Sequence, residues 1–167
     1  MSKKSALAAT DTETRATSEH APDLRLWLRM LACTNLIENH VRARLRAEFD
    51  ITLPRFDLMS QLERSPQGLK MGELSKRMMV TGGNVTGITD QLVSEGLVVR
   101  EDSPNDRRAY IVKLTAEGRR SFRKMAEAHE TWMVALFAGI EEQQRSELYA
   151  LLAVLKASAS RVAAKKK

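Results

Sequence analysis

The stretch Leu97-Val-Val-Arg-Glu-Asp-Ser-Pro-Asn-Asp-Arg-Arg-Ala-Tyr-Ile-Val-Lys-Leu-Thr115 decides the fold. Its two ends, residues 97–101 and 110–115, are rich in β-branched side chains. They flank the charged, turn-forming run 102–108, so the spacing predicts a hairpin with a long charged loop. Immediately before it lies Met71-Gly-Glu-Leu-Ser-Lys-Arg-Met-Met-Val-Thr-Gly-Gly-Asn-Val-Thr-Gly-Ile-Thr-Asp-Gln-Leu92, which reads as two short helical stretches, residues 71–79 and 82–94, separated by Val80-Thr81. A helix-turn-helix followed at once by a hairpin is compact enough to be a winged helix.

Working outward, Ser65-Pro-Gln-Gly68 is turn chemistry, and Pro54 starts a helix that runs to about Arg64. A longer helix opens at Pro22-Asp23 and stops before Asp50-Ile-Thr-Leu-Pro54. Its apolar stripe runs Leu26, Met30, Cys33, Ile37, Val41, Leu45, with Leu24, Leu28 and Leu31 on another face. After Thr115 two long helices finish the chain. The first carries Phe122, Met125, His129, Trp132, Met133, Leu136, Phe137 and Ile140, and the second Leu148, Leu151, Leu152 and Leu155. Residues 1–21 are polar and aperiodic and read as a flexible N-terminal tail. The expected fold is mainly α with a small β-hairpin wing. A single domain over residues 22–164 holds a winged helix-turn-helix (about 54–115) and a helical dimerisation region (about 22–50 and 116–164). The terminal helices carry more apolar surface than the small middle block covers. A second copy of the chain would cover it.

Composition narrows the class of partner. The 167 residues are 43% hydrophobic and 29% charged, with a formal net charge of +6, and no apolar run is long enough to span a membrane. No membrane partner is expected, and the first residues lack the apolar stretch of a signal peptide, so the expected location is cytoplasmic. A lone cysteine, Cys33, excludes an internal disulfide framework and a multi-cysteine zinc site. His20, His40 and His129 are scattered with no nucleophile–base pattern, so no enzyme activity, catalytic residue, metal or cofactor is expected. The positive excess is uneven: residues 100–124 hold eight Lys/Arg against four acidic residues, beside the helix-turn-helix. That placement favours a polyanion such as double-stranded DNA.

In the second short helix Thr81 stands at the N-cap position. Val85, Ile88 and Leu92 follow at helical spacing and face inward, which turns Gly83, Asn84, Thr86, Gly87 and Asp90 outward. Asn pairs bidentately with adenine, Thr offers a hydroxyl and a methyl, and glycines let a helix approach a groove floor. Gly82 and Gly87 have the spacing of a phosphate-binding loop, but Ile88 occupies the place of the necessary lysine. In the hairpin loop, Arg107 and Arg108 suit the enhanced negative potential of a narrow minor groove, with Asp106 placed to hold Arg108.

Three segments together, Leu92-Val-Ser-Glu-Gly-Leu-Val-Val99, Asp102-Ser-Pro-Asn-Asp-Arg-Arg108 and Val112-Lys-Leu-Thr-Ala-Glu-Gly118, resemble the MarR family of regulators. The Ile51-Thr-Leu-Pro54 entry agrees, and the resemblance covers about residues 24–160. It implies an obligate homodimer with two recognition helices in successive major grooves of an operator, residues 81–90 as the reading segment, and Arg108 as the minor-groove residue at the wing tip. It also implies release by a small, often aromatic and anionic effector, such as a phenolic acid or its CoA thioester. Arg42 and Arg46 share a face with His40 nearby and are candidates to hold the anion, with Trp27, Met30, Phe56 and Met59 as apolar walls. The same two arginines can instead pair with Glu38 or Asp50. A thiol-based redox sensor acting through Cys33 is an alternative. Against it, Cys33 falls on the apolar stripe, where burial makes a thiol inert, and the family's reactive position aligns with Leu28. A nonspecific architectural DNA-binding protein is the other alternative.

Overall fold

The computed structural model describes the backbone of residues 21–103 and 106–164, with side chains throughout except at 103 and 106–109. The expected N-terminal tail, Ala21 apart, lies outside the described residues. The elements run α1 (Pro22–Phe49), α2 (Leu53–Glu63), β1 (Leu69–Lys70), α3 (Met71–Met78), α4 (Gly82–Ser94), β2 (Val98–Ser103), β3 (Asp106–Leu114), α5 (Ala116–Phe137) and α6 (Glu142–Ala164). The fold is mainly helical with one small antiparallel sheet of order β1-β3-β2. It is a winged helix-turn-helix between long terminal helices.

Starts and stops have local causes. Proline in the first turn and Asp23 open α1, where the missing N–H costs nothing and the carboxylate meets the positive helix end. The helix closes where Asp50 turns left-handed (φ 48°). The Asp50 amide donates to the Arg46 carbonyl at 3.2 Å, and the Ile51 amide donates to that of Leu45 at 3.3 Å. Thr52 is extended, and Pro54 then sits in the first turn of α2. α3 ends at Met79, again left-handed with φ 55°. Thr81 takes the extended N-cap backbone before α4, but its hydroxyl makes no capping hydrogen bond. The expected cap is met by position alone.

The hairpin differs from its expected form. Pairing runs from Val98–Leu114 out to Ser103–Asp106, with an irregularity between Asp102 and Ser103. Most of the charged run is therefore strand, because the ladder goes on satisfying backbone groups beyond the last β-branched residue. A short third strand, β1, pairs Leu69 with Val112 and Lys70 with Ile111. Two residues carry no periodic signal, so this strand was not foreseen.

The core of the winged helix is assembled from every element. Leu58, Met59 and Leu62 of α2, Leu74 of α3, Val85 and Leu92 of α4 and Val112 of β3 are all fully buried, with Leu45 and Met125 beside them. Burying such a side chain contributes about 1.5–3 kcal/mol. Thr89 is a fully buried polar residue, and its hydroxyl donates to the Val85 carbonyl at 2.7 Å, so its own hydrogen-bonding need is met. Phe56 stacks on Phe122 with centroids 5.4 Å apart and meets the His129 ring at 5.3 Å. Glu63 accepts from Arg119 at 3.3 Å and lies 3.6 Å from Arg123, tying α2 to α5.

The Leu-Thr-x-x-Gly stretch has a structural reason. The Thr115 amide donates to the Leu97 carbonyl (3.1 Å), and its hydroxyl donates to that of Gly96 (2.7 Å) while accepting from the Gly118 amide (2.9 Å). One residue thereby joins the turn before β2 to the start of α5.

The chain divides into two units after His129. In the unit from Glu130 onward Trp132 is buried. No α6 residue is, and Leu148, Leu151, Leu152, Val154 and Leu155 are exposed. In the first unit, burial on α1 is confined to Ala32, Val41 and Leu45, while Leu24, Leu26, Trp27 and Leu36 are exposed. Among the described residues, no helix is long and apolar enough to cross a membrane.

Candidate nucleic-acid interface

The rotation of α4 is fixed by its buried side. Val85, Thr89 and Leu92 are fully buried and Ile88 half-buried, which leaves Gly83, Asn84, Thr86, Gly87 and Asp90 exposed, with Thr81 exposed just ahead of them. Residues 83, 86, 87 and 90 recur at steps of three and four and form one stripe. A Cβ built on Gly83 or Gly87 would meet nothing within 4 Å. The fold therefore makes no demand for glycine there, although each glycine weakens a helix by ~1 kcal/mol relative to alanine. What the bare stripe permits is close approach of a flat polar surface. Asn84 offers an exposed amide with both donors and an acceptor. Thr86 spends its hydroxyl proton on the Gly82 carbonyl at 3.0 Å, so it presents a methyl and a lone pair rather than a free donor.

Asp90, the charged member of the stripe, is already partnered. Its Oδ1 lies 2.6 Å from Nη2 of Arg100 on β2. On the sequence alone Asp90 is expected to face DNA, and Arg100 is one of several nearby cations. The signal that was present is the strand period of two, which puts Arg100 on the face of the buried Val98 and so toward α4. On the hairpin, Lys113 Nζ and Glu101 Oε2 pair at 2.6 Å across β2 and β3. Asp106, Arg107 and Arg108 begin β3 at the far end of the hairpin from Leu114. Their side chains lie outside the described residues.

The expected effector residues do not come together at one place. Arg42 and Arg46 line a half-open cavity of about 240 Å³ with Ile51, Thr52, Leu53 and Pro54. Both arginines also carry the ion pairs foreseen for them, Arg42 with Glu38 at 2.8 Å and Arg46 with Asp50 at 3.3 Å. Phe56 and Met59 belong to the core, at 7% and 0% exposure, and do not line this cavity; its apolar wall is Ile51, Leu53 and Pro54. Trp27 is exposed and Met30 half-buried on the earlier turns of α1, and a helical rise of ~1.5 Å per residue puts Trp27 ~20 Å from Arg42 along the axis. His40 is half-buried and does not line the cavity.

Cys33 corrects another expectation. It is exposed, because the stripe it belongs to is covered only in its later part, at Val41 and Leu45. Burial lowers the pKa of His129, whose ring meets Phe56.

Comparison with known proteins agrees with this architecture. A model of the MarR family matches residues 51–110, the segment from the entry to α2 through most of the hairpin. A solved MarR family transcriptional regulator from Silicibacter pomeroyi is similar at 33% identity and a TM-score of 0.73, covering 86% of this chain and 99% of that one. The HTH-type transcriptional regulator YkoM of Bacillus subtilis is 32% identical over 89 residues, and the match spans 53% of this chain but only 56% of that relative. Sco3205, a MarR family regulator from Streptomyces coelicolor solved in complex with DNA, shares the fold at 24% identity and a TM-score of 0.73, covering 86% of this chain and 91% of that one.

Proposed function

The chain belongs to the MarR family of transcriptional regulators, and from that premise we propose that it is a homodimeric, sequence-reading repressor released from its operator by a small anionic effector. The observation that carries the DNA part is the stripe on α4: two glycines that nothing in the fold requires, set around an exposed Asn84. Residues 81–87 would enter the major groove, and the wing arginines Arg107 and Arg108, with Asp106 as buttress, would take the adjacent minor groove. The DNA complex of Sco3205 supports this docking by analogy of fold. The dimer rests on the exposed apolar residues of α1 and α6, which a second copy would cover as the dimerisation region.

The effector reading rests on Arg42 and Arg46 at one cavity. Two arginines and the apolar Ile51, Leu53 and Pro54 lining one cavity suit a carboxylate on a compact ring, and at about 240 Å³ the space fits a phenolic acid more readily than a whole CoA thioester. Sedimentation at micromolar concentration tests the dimer and should give twice the 18.8 kDa chain mass. A thermal-shift screen of phenolic acids and their CoA thioesters tests the effector, since a ligand of the folded state raises the midpoint. The same compound should dissociate a bound duplex and lose its effect in Arg42→Ala. If no such compound raises the midpoint, the effector reading falls and the DNA reading stands. Enrichment of one sequence from a random duplex pool separates this function from architectural binding, which would enrich none.

A further inference from the structure

The outer stripe of α4 ends in a carboxylate. Gly83, Thr86 and Gly87 are small and neutral, and Asp90, one step further along the same face, carries a charge that phosphates repel. A group with that sign is out of place on a DNA-facing stripe unless something else requires it. Its partner, Arg100, lies 2.6 Å away with its side chain only 28% exposed. Arg100 is on the inner face of β2, two residues beyond the buried Val98 and paired in register with Val112. At this point the strand leaves the core on its way to the wing tip, and an ion pair replaces apolar packing between helix and strand. A cation that could have served DNA directly is turned inward instead.

We propose that the Asp90–Arg100 ion pair is a positioning device that fixes the wing relative to the reading helix, and that it thereby sets selectivity for sequence without touching a base. The proposal rests on the reading above, in which α4 and the wing grip adjacent grooves. Two readers on separate elements select a sequence only if their separation is held, because a shift of either one relocates its contacts on the duplex. The core holds the near end of β2 through Val98, and this pair holds the strand where the core stops.

Simple electrostatics predicts the opposite outcome, which makes the test decisive. If Asp90 merely repels phosphates, removing its charge strengthens binding to any duplex. If the pair positions the wing, Asp90→Asn weakens binding to the preferred sequence alone. The probes are a duplex enriched by the wild-type chain from a random pool and a scrambled version of it, titrated at one salt concentration, well below each variant's thermal midpoint. Asp90→Asn should lose about tenfold on the enriched duplex, on the scale of one base contact, with scrambled-duplex affinity unchanged. The charge-swapped double variant, Asp90→Arg with Arg100→Asp, keeps net charge constant and should recover most of that loss. Equal or tighter binding of Asp90→Asn to the enriched duplex would overturn the proposal while leaving the reading helix in place. Failure of the wild-type chain to enrich any sequence would overturn both.

Discussion

Gly118 lies directly against the carbonyl of Leu97: a Cβ at position 118 would meet that oxygen at 1.9 Å. The contact fastens the start of α5 beneath the turn that launches β2, and Thr115 holds both sides with its hydroxyl. Gly118→Ala forces backbone apart from backbone, so it should destabilise by about 3 kcal/mol, a large value for one methyl. The thermal midpoint should fall by ~10 °C in a chain of this size. A midpoint within a degree or two of wild type would mean the joint is not tight.

Met79 gives a prediction of opposite sign. It stands between α3 and α4 with φ 55° and 94% exposure, so its side chain gains little from burial while its backbone is strained. The left-handed conformation costs a residue with a Cβ ~1–2 kcal/mol, part of which glycine gives back through its freer unfolded state. Met79→Gly should stabilise by about 0.5–1 kcal/mol in urea unfolding, and a loss of stability would show that the methionine makes a contact the fold needs.

His129 couples stability to pH. Its pKa is lowered by burial, so the unfolded chain binds a proton at a higher pH than the folded one. The neutral form stabilises the fold above the ordinary histidine range, and that contribution is lost as pH falls through about 6.5 and below. The midpoint should drop between about pH 7.5 and pH 5.5, and His129→Phe, which keeps a ring against Phe56, should flatten the dependence. An unchanged slope in the variant would assign the effect to another group.

Much of this was legible in the sequence, and the parts that were not share a physical cause. Helix periodicity placed Val85, Ile88 and Leu92 inward and therefore the outer stripe of α4 outward. Local turn chemistry placed Asp50 and the entry to α2. Strand extent is not legible because ladder bonds are backbone bonds, and charged residues such as Arg107 occupy a strand as readily as a loop. Phe56 and Met59, expected as apolar walls beside Arg42 and Arg46, are buried and do not line the cavity those arginines share, because periodicity says which face is apolar but not which neighbour covers it. Cys33 was misplaced for the same reason: its stripe is apolar, but the first unit covers only the Val41–Leu45 end. The Asp90–Arg100 pair joins a helix to a strand, so only tertiary register could reveal it.

Gly87 sets folding and binding against each other. A methyl there meets nothing within 4 Å, so Gly87→Ala should gain up to ~1 kcal/mol of helix stability. It also adds bulk to the face that approaches DNA and should weaken binding to the enriched duplex. A variant both more stable and equally tight would show that the bare stripe has no role in binding.

The most direct test of the reading helix is Asn84→Ala, titrated in parallel against the enriched duplex and its scrambled counterpart at one fixed salt concentration. Asn84 is exposed on α4, so truncating it should leave stability almost unchanged. Its loss should cost about 1–3 kcal/mol on the enriched duplex and almost nothing on the scrambled one, because only base readout distinguishes them. Arg108→Ala, by contrast, should weaken both and reduce the salt dependence by about one phosphate contact. Equal losses for Asn84→Ala on the two duplexes would contradict the assignment of residues 81–87 as the segment that reads sequence.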